Sequence, residues 1–263
     1  MRFALTIALS GLILFQSKAA AEEWNKHWAV GPKPELHVAA GDASVRIVAG
    51  EPGAIDATVK TRGWSIGDNG VKILEHQSGN RVDLEVREPS SHFSFGARSI
   101  SIEMRVPREL MAEVHTGDGS ITMRGLHGSV RMDTGDGSIQ GEDLDGALTG
   151  HTGDGSVHIN GRFDVLQLHT SDGSVEVSAL PGSHMSSDWK VETGDGSVRL
   201  ELPHDLSADV ELQTGDGSIH LDMPVTVNGM GNRNEHEVRG KLNGGGPLLR
   251  VRTGDGSISV QSR

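Results

Sequence analysis

Thr116-Gly117-Asp118-Gly119-Ser120 is the first of seven near-identical pentapeptides, and the spacing of those copies decides the fold. TGDGS recurs at Thr134–Ser138, Thr152–Ser156, Thr193–Ser197, Thr214–Ser218 and Thr253–Ser257, and Thr170–Ser174 reads TSDGS. The copies at 116, 134, 152 and 170 start 18 residues apart. A fixed short period is the signature of a solenoid, in which each repeat is a coil stacked on the last.

The flanks carry the strand pattern. Four positions before each Thr stand Ala112, Val130, Leu148, Leu166, Trp189, Val210 and Leu249, all apolar. Five positions after it stand Ile121, Ile139, Val157, Val175, Val198, Ile219 and Ile258. Alternation on both sides predicts two short strands per coil with TGDG as the turn between them. Identical residues recurring in register favour parallel stacking over a meander of hairpins. The spacing then widens to 23, 21 and 39 residues, which places an excursion from the stack over Met223–Leu248.

The stretch before the clean repeats reads differently. Glu35–Ala39 and Ser44–Val48 alternate like strands around Gly41-Asp42-Ala43-Ser44-Val45, a worn version of the repeat. Strand-like runs at Ala54–Thr61, Val71–Leu74 and Arg81–Val86, separated by Asn69-Gly70 and Gly79-Asn80, predict an antiparallel meander near the N-terminal end. Glu88–Arg98 is a turn-rich loop carrying Phe93 and Phe95. Trp28 and Trp64 are expected to cap the open end of the solenoid, while Trp24, Trp28, Trp64, Phe93 and Phe95 are also candidates for stacking on sugar rings.

Composition bounds the function. Met1–Ala21 reads as a Sec signal peptide, with Arg2, the apolar stretch Phe3–Phe15 and Ala19-Ala20-Ala21 as cleavage site. The expected organisation is therefore a cleaved leader over 1–21 and a single solenoid domain over 22–263, regular from about residue 108. There is no Cys, so an exported chain relies on burial and backbone ladders. Loss of Arg2 and Lys18 with the leader moves the formal charge from −12 to −14. An acidic domain does not bind nucleic acid or anionic lipid by bulk electrostatics.

Two other 18-residue architectures fit less well. A hexapeptide helix needs aliphatic residues where His127 and Asp133 stand, six and twelve beyond Ile121. A calcium β-roll needs its Asp two positions before the aliphatic residue, where Gly119 lies.

Several stretches in this order resemble the DUF4097 family of adhesin-like proteins. They are Glu35–Val48, the step from Met104-Arg105-Val106-Pro107-Arg108 into Val114–Ile121, and the tail Lys241–Val260. The resemblance covers most of the mature chain. It implies an exported or envelope-associated protein with a parallel β-helical fold, and supplies no ligand and no residue roles.

The candidate site residues form columns. Asp118, Asp136, Asp154, Asp172, Asp195, Asp216 and Asp255 recur at one position, where stacked carboxylates repel. The local reading makes each a structural turn residue: Asp accepts backbone N–H bonds and flanking Gly permits positive φ, as in Gly117-Asp118-Gly119, Gly135-Asp136-Gly137 and Gly153-Asp154-Gly155. The alternative is a row of calcium sites. A second column, His115, Asp133, His151, His169, Glu192, Gln213 and Arg252, is read as solvent-facing, with zinc as the alternative. No catalytic residue is assigned, because GDGS is not the G-x-S-x-G elbow and seven near-identical serines mark a repeated structural position. The expectation is an exported, non-enzymatic β-solenoid without cofactor, whose partner is an envelope protein or a surface glycan. The alternatives are a structural or sensory periplasmic module, a polysaccharide-acting β-helical enzyme and a calcium-binding repeat protein.

Overall fold

The computed structural model describes residues 21–89, 98–226 and 236–263. Most of the Met1–Ala21 leader, together with Phe93, Phe95 and part of the 223–248 excursion, lies outside the described residues. Seven strands precede the clean repeats: β1 (Ala21–Ala29), β2 (Glu35–Ala40), β3 (Ser44–Ala49), β4 (Ala54–Arg62), β5 (Lys72–Ser78), β6 (Arg81–Arg87) and β7 (Ser99–Val106). The regular coils comprise β8 (Glu109–Thr116), β9 (Ile121–Arg124), β10 (His127–Thr134), β11 (Ile139–Thr152), β12 (Val157–Thr170) and β13 (Val175–Ala179). The remainder are β14 (Trp189–Thr193), β15 (Val198–Leu202), β16 (Ala208–Thr214), β17 (Ile219–Asp222), β18 (Val225–Thr226), β19 (Glu237–Leu242), β20 (Leu248–Thr253) and β21 (Ile258–Ser262).

The architecture is an all-β, β-solenoid-like fold of two-strand coils, as the repeat predicts. Strands entering the TGDGS turns form one face, and strands leaving them form the other. The pre-turn face runs β5, β6, β2, β8, β10, β11, β12, β14, β20, β16, β19, β18. The post-turn face runs β1, β4, β7, β3, β9, β11, β12, β13, β15, β21, β17. The long strands β11 and β12 belong to both faces because they bend through the corner opposite the turn, with register shifts at Gly141/Leu144 and Gly146/Ala147. Period-2 alternation points one side of every strand inward, and the inward residues form one continuous core. At the corner where the period first widens, Phe163 and Trp189 fill the added width edge to face, with ring centroids 6.4 Å apart.

The coils do not stack in sequence order. The first coil, β2–β3, lies between the β6–β7 and β8–β9 coils. The last, β20–β21, lies between β14–β15 and β16–β17. Both terminal coils are thus wedged inside the stack. For β20–β21 identical turn registers make this possible, since each TGDGS coil presents the same edge to its neighbours.

The antiparallel pairs expected near the N-terminal end are present but do not form one meander, because β4 and β5, on either side of Asn69-Gly70, pair on different faces. β5 and β6 form a hairpin through Gly79, whose φ of 60° lies in the left-handed region. β4 lies on the post-turn face between β1 and β7. Side chains of the edge strands β1 and β5 meet over the end of the core: Glu75 accepts hydrogen bonds from Lys26 Nζ (2.6 Å) and Trp28 Nε1 (2.9 Å). Trp28 is buried, and Trp64 packs on the core beneath the Arg98 guanidinium, 3.7 Å from its ring centre. At the other end, Ile219 and Leu221 of β17 are half-buried, whereas their counterparts Ile258 and Val260 are fully buried.

The wedged C-terminal coil has a measurable consequence. Leu249, Val251, Ile258 and Val260 are fully buried. At about 1.5–3 kcal/mol for each buried aliphatic side chain, they contribute on the order of 6–12 kcal/mol, comparable with a whole domain's net stability. Deletion of residues 248–263 is expected to abolish amide hydrogen-exchange protection in β16 and β17 as well. Retained protection there would show that these coils stand without the wedge.

Candidate functional site

The turn edge is the most repetitive surface, and its chemistry runs from inside outward. All seven repeat threonines are buried. The Thr134 hydroxyl donates toward the carbonyls of Gly119 (2.9 Å) and Gly117 (3.0 Å) in the coil below, and accepts from the Gly137 N–H of its own turn (3.3 Å). Thr152 repeats this with Gly137 O (2.8 Å) and Gly155 N–H (3.3 Å), and Thr170 with Gly155 O and Gly173 N–H. Thr116, Thr193, Thr253 and Thr214 donate in the same sense to Ala43, Gly173, Gly196 and Gly256. Beside this hydroxyl ladder runs a backbone one: Gly135 N–H donates to Gly117 O and Gly153 N–H to Gly135 O, each at 2.5 Å.

The glycines are required by close approach. None of the glycines in the repeated turns has positive φ, which corrects the expectation that they supply left-handed turn geometry. A Cβ on Gly119, Gly137, Gly155, Gly173, Gly196, Gly217 or Gly256 would instead overlap the carbonyl oxygen of the coil below. At the first glycine the space is less strict: a Cβ on Gly135 would lie 2.8 Å from Gly117 O, and the TSDGS copy carries Ser171 at that position. Ala43 occupies the strict position in the lowest turn, beneath which no TGDGS turn stacks.

Both ends of the ladder are capped. At the lower end Glu88 Oε1 accepts the Asp42 N–H (3.1 Å). At the upper end the Gly217 carbonyl, where a further coil would place its threonine, accepts His236 Nδ1 (3.1 Å).

The carboxylates stand outside this machinery. Asp118, Asp136, Asp154, Asp172, Asp195, Asp255 and Asp216 are all exposed, and none accepts a hydrogen bond among the described residues. Threonine does the local bonding expected of Asp. Asp42 is an eighth member of the row, and its sequence signal is the worn repeat Gly41-Asp42-Ala43-Ser44. Repulsion from Asp42 and Asp136 raises the Asp118 pKa above its ordinary 3.8. Among the described residues no three His, Asp or Glu side chains converge in a way that could hold a metal ion.

The second column faces outward on the pre-turn face, with His115, His151, His169 and Gln213 exposed and Asp133, Glu192 and Arg252 half-buried. His151 and His169 stack in parallel with ring centroids 5.1 Å apart, so their nitrogens lie side by side instead of converging. Asp133 pairs with Arg131 (2.9 Å) and Glu192 with Lys190 (2.8 Å). The wedged coil inserts Arg252 between Glu192 and Gln213. There Glu211 gathers Arg252 (3.1 Å), Arg250 (3.2 Å) and Arg239 (3.6 Å). Burial pushes the Glu211 carboxyl up, but Arg252 and Arg250 outweigh it and hold the group below its ordinary value.

The family model for Toastrack DUF4097 matches residues 34–261. This chain belongs to the Toastrack family. No curated protein matches it. Among solved structures, the Toastrack chain is similar to a "putative cell adhesion protein" from Clostridium sporogenes ATCC 15579, at 13% identity over 92% of this chain and 100% of that one, with a TM-score of 0.41. It is similar to a "putative adhesin" from Parabacteroides merdae ATCC 43184, at 10% identity over 91% and 96% of the two chains, TM-score 0.43. A "putative lipid binding protein" from Parabacteroides distasonis ATCC 8503 aligns at 13% identity over 90% and 96%, TM-score 0.44.

The Asp row of this Toastrack chain gives a pH-dependent expectation. A carboxyl whose pKa is raised by folding binds its proton more tightly in the folded state. Its contribution to stability therefore falls as pH climbs from below 3.8 through the raised value. Asp118→Asn should melt above the parent at neutral pH, with the difference shrinking below pH 3.8 and in high salt. Thermal unfolding across pH and salt checks this. A variant that melts lower at neutral pH would show that the carboxylate forms a stabilising bond.

Proposed function

We propose that this protein is an exported, non-enzymatic binding scaffold of the adhesin type, which holds a surface glycan along the post-turn face of the solenoid. One observation carries the reading: along the strands, what recurs from coil to coil is internal, while what faces outward changes. The recurring threonines and the strict glycines are nearly all buried and spent on stacking. The outward column on the post-turn face reads Arg46, Thr122, Gln140, His158, Glu176, Arg199 and Ser259. A rigid frame with a varied polar face suits recognition of an extended ligand.

The chemistry of that face suits sugar hydroxyls. Gln140, His158 and Asn160 line a shallow groove with Glu142, Glu176 and Ser178 across three coils. Amides, hydroxyls, imidazole and carboxylates together offer both donors and acceptors. The leader-like Met1–Ala21 supports export. The exposed Asp row, read as a solvated edge, calls for no cation in this account.

Glycan-array binding by residues 22–263 tests the proposal. The expected result is retention of a defined set of polysaccharides, weakened by Gln140→Ala and His158→Ala with the melting temperature unchanged. Failure to retain any glycan, combined with specific capture of one envelope protein from native membranes, would replace it with the module reading.

A further inference from the structure

The post-turn face carries a second groove nearer the N-terminal end, where the charge balance reverses. The chain is acidic overall, at −12. Yet the outward positions of β3, β4 and β7 hold four cations (Arg46, Lys60, Arg62, Arg105) against two carboxylates (Asp56, Glu103). A groove of about 330 Å³ opens among Arg46, Asp56, Thr58, Glu103 and Arg105, above Val48 and Met104.

Ion pairing around this groove leaves two guanidiniums over. Asp56 is taken by His27 (2.7 Å) and Glu103 by Lys60 (3.1 Å). Arg124, the neighbour of Val48 on β9, is held by Glu142. Arg46 and Arg105 have no hydrogen bond or ion pair among the described residues. Register sets them diagonally: Arg46 lies opposite Glu103 and Arg105 opposite Val48, on neighbouring strands. Val48 is a half-buried apolar residue in an outward position, so the floor between the two guanidiniums is aliphatic.

We infer that this groove binds a carboxylate-bearing sugar, a uronate unit within an acidic polysaccharide. A guanidinium presents a rigid donor fork that matches a carboxylate in two parallel hydrogen bonds. Two unpaired forks flanking one groove supply that anion site. Val48 offers a flat C–H surface to the ring. The Thr58 hydroxyl and the spare lone pairs of Asp56 and Glu103 accept from ring hydroxyls, which an inorganic anion does not offer. The Asp row is not among the residues that line this groove, and salt screening weakens its longer-range effect. The inference rests on the glycan-binding reading and names the substrate class of one part of that face.

Calorimetric titration with trigalacturonate, a neutral galactose trisaccharide and triglutamate tests it. The parent should bind trigalacturonate at least tenfold more tightly than either control, with affinity falling as salt rises. The double variant Arg46→Gln/Arg105→Gln should lose at least tenfold while melting at the same temperature, because both side chains are exposed. Undiminished trigalacturonate binding by the double variant would overturn this groove and leave glycan recognition elsewhere on the face intact. Equal binding of triglutamate would overturn the sugar assignment. Binding of neutral glycans alone would overturn the uronate class, and failure of every glycan would remove the broader reading with it.

Discussion

The structure depends on a buried hydroxyl meeting a glycine carbonyl once in each of the seven repeat coils. A threonine placed inward at the end of each pre-turn strand has no water to bond with, and a buried hydroxyl without a partner costs on the order of 1–3 kcal/mol. It finds one in the glycine carbonyl of the neighbouring coil, within reach only because that turn brings no side chain between them. Threonine and glycine therefore constrain each other: the hydroxyl needs the close approach, and the close approach forbids a Cβ. The aspartate between the glycines is left on the outside, where it repels its neighbours.

That constraint explains why the C-terminal coil can be wedged into the interior of the stack. A coil defined by the same turn, the same hydroxyl and the same apolar columns fits between any two others. β20–β21 uses this freedom, whereas β2–β3, with Ala40 in place of the threonine, receives the Thr116 hydroxyl on one side and otherwise fits by strand pairing and its apolar columns. Closing the stack with both chain ends gives non-local cohesion to an architecture whose repeats otherwise touch only neighbours. It also leaves the non-repeating segments at the two extremities, where Glu88 and His236 cap the turn ladder and Trp28 covers the core.

Much of this was legible in the residues, and what escaped did so for physical reasons. The apolar columns flanking each TGDGS predict two strands per coil, and the inward positions are those columns. Stacking order was not legible, because copies that are nearly identical fit equally well in any order. Threonine burial was hidden by the residue's usual preference for the surface, so the hydrogen bonding was expected of Asp118 and its counterparts. The glycines pointed to positive φ because that is their commoner role in turns, whereas here the neighbouring coil sets the requirement. On the outer faces, single residues such as Arg46 and Arg105 carry no periodic signal, and only strand register reveals that they flank one groove.

The central claim is tested most directly by comparing Thr152→Val with Thr152→Ser in chemical denaturation. Valine keeps the shape and removes the hydroxyl, leaving the Gly137 carbonyl and the Gly155 N–H without their partner. The account predicts a loss of about 2–6 kcal/mol for valine, from two orphaned groups at about 1–3 kcal/mol each, and only about 1 kcal/mol for serine, from one missing methyl. Equal stability of the valine variant and the parent, or a serine variant as unstable as valine, would contradict it.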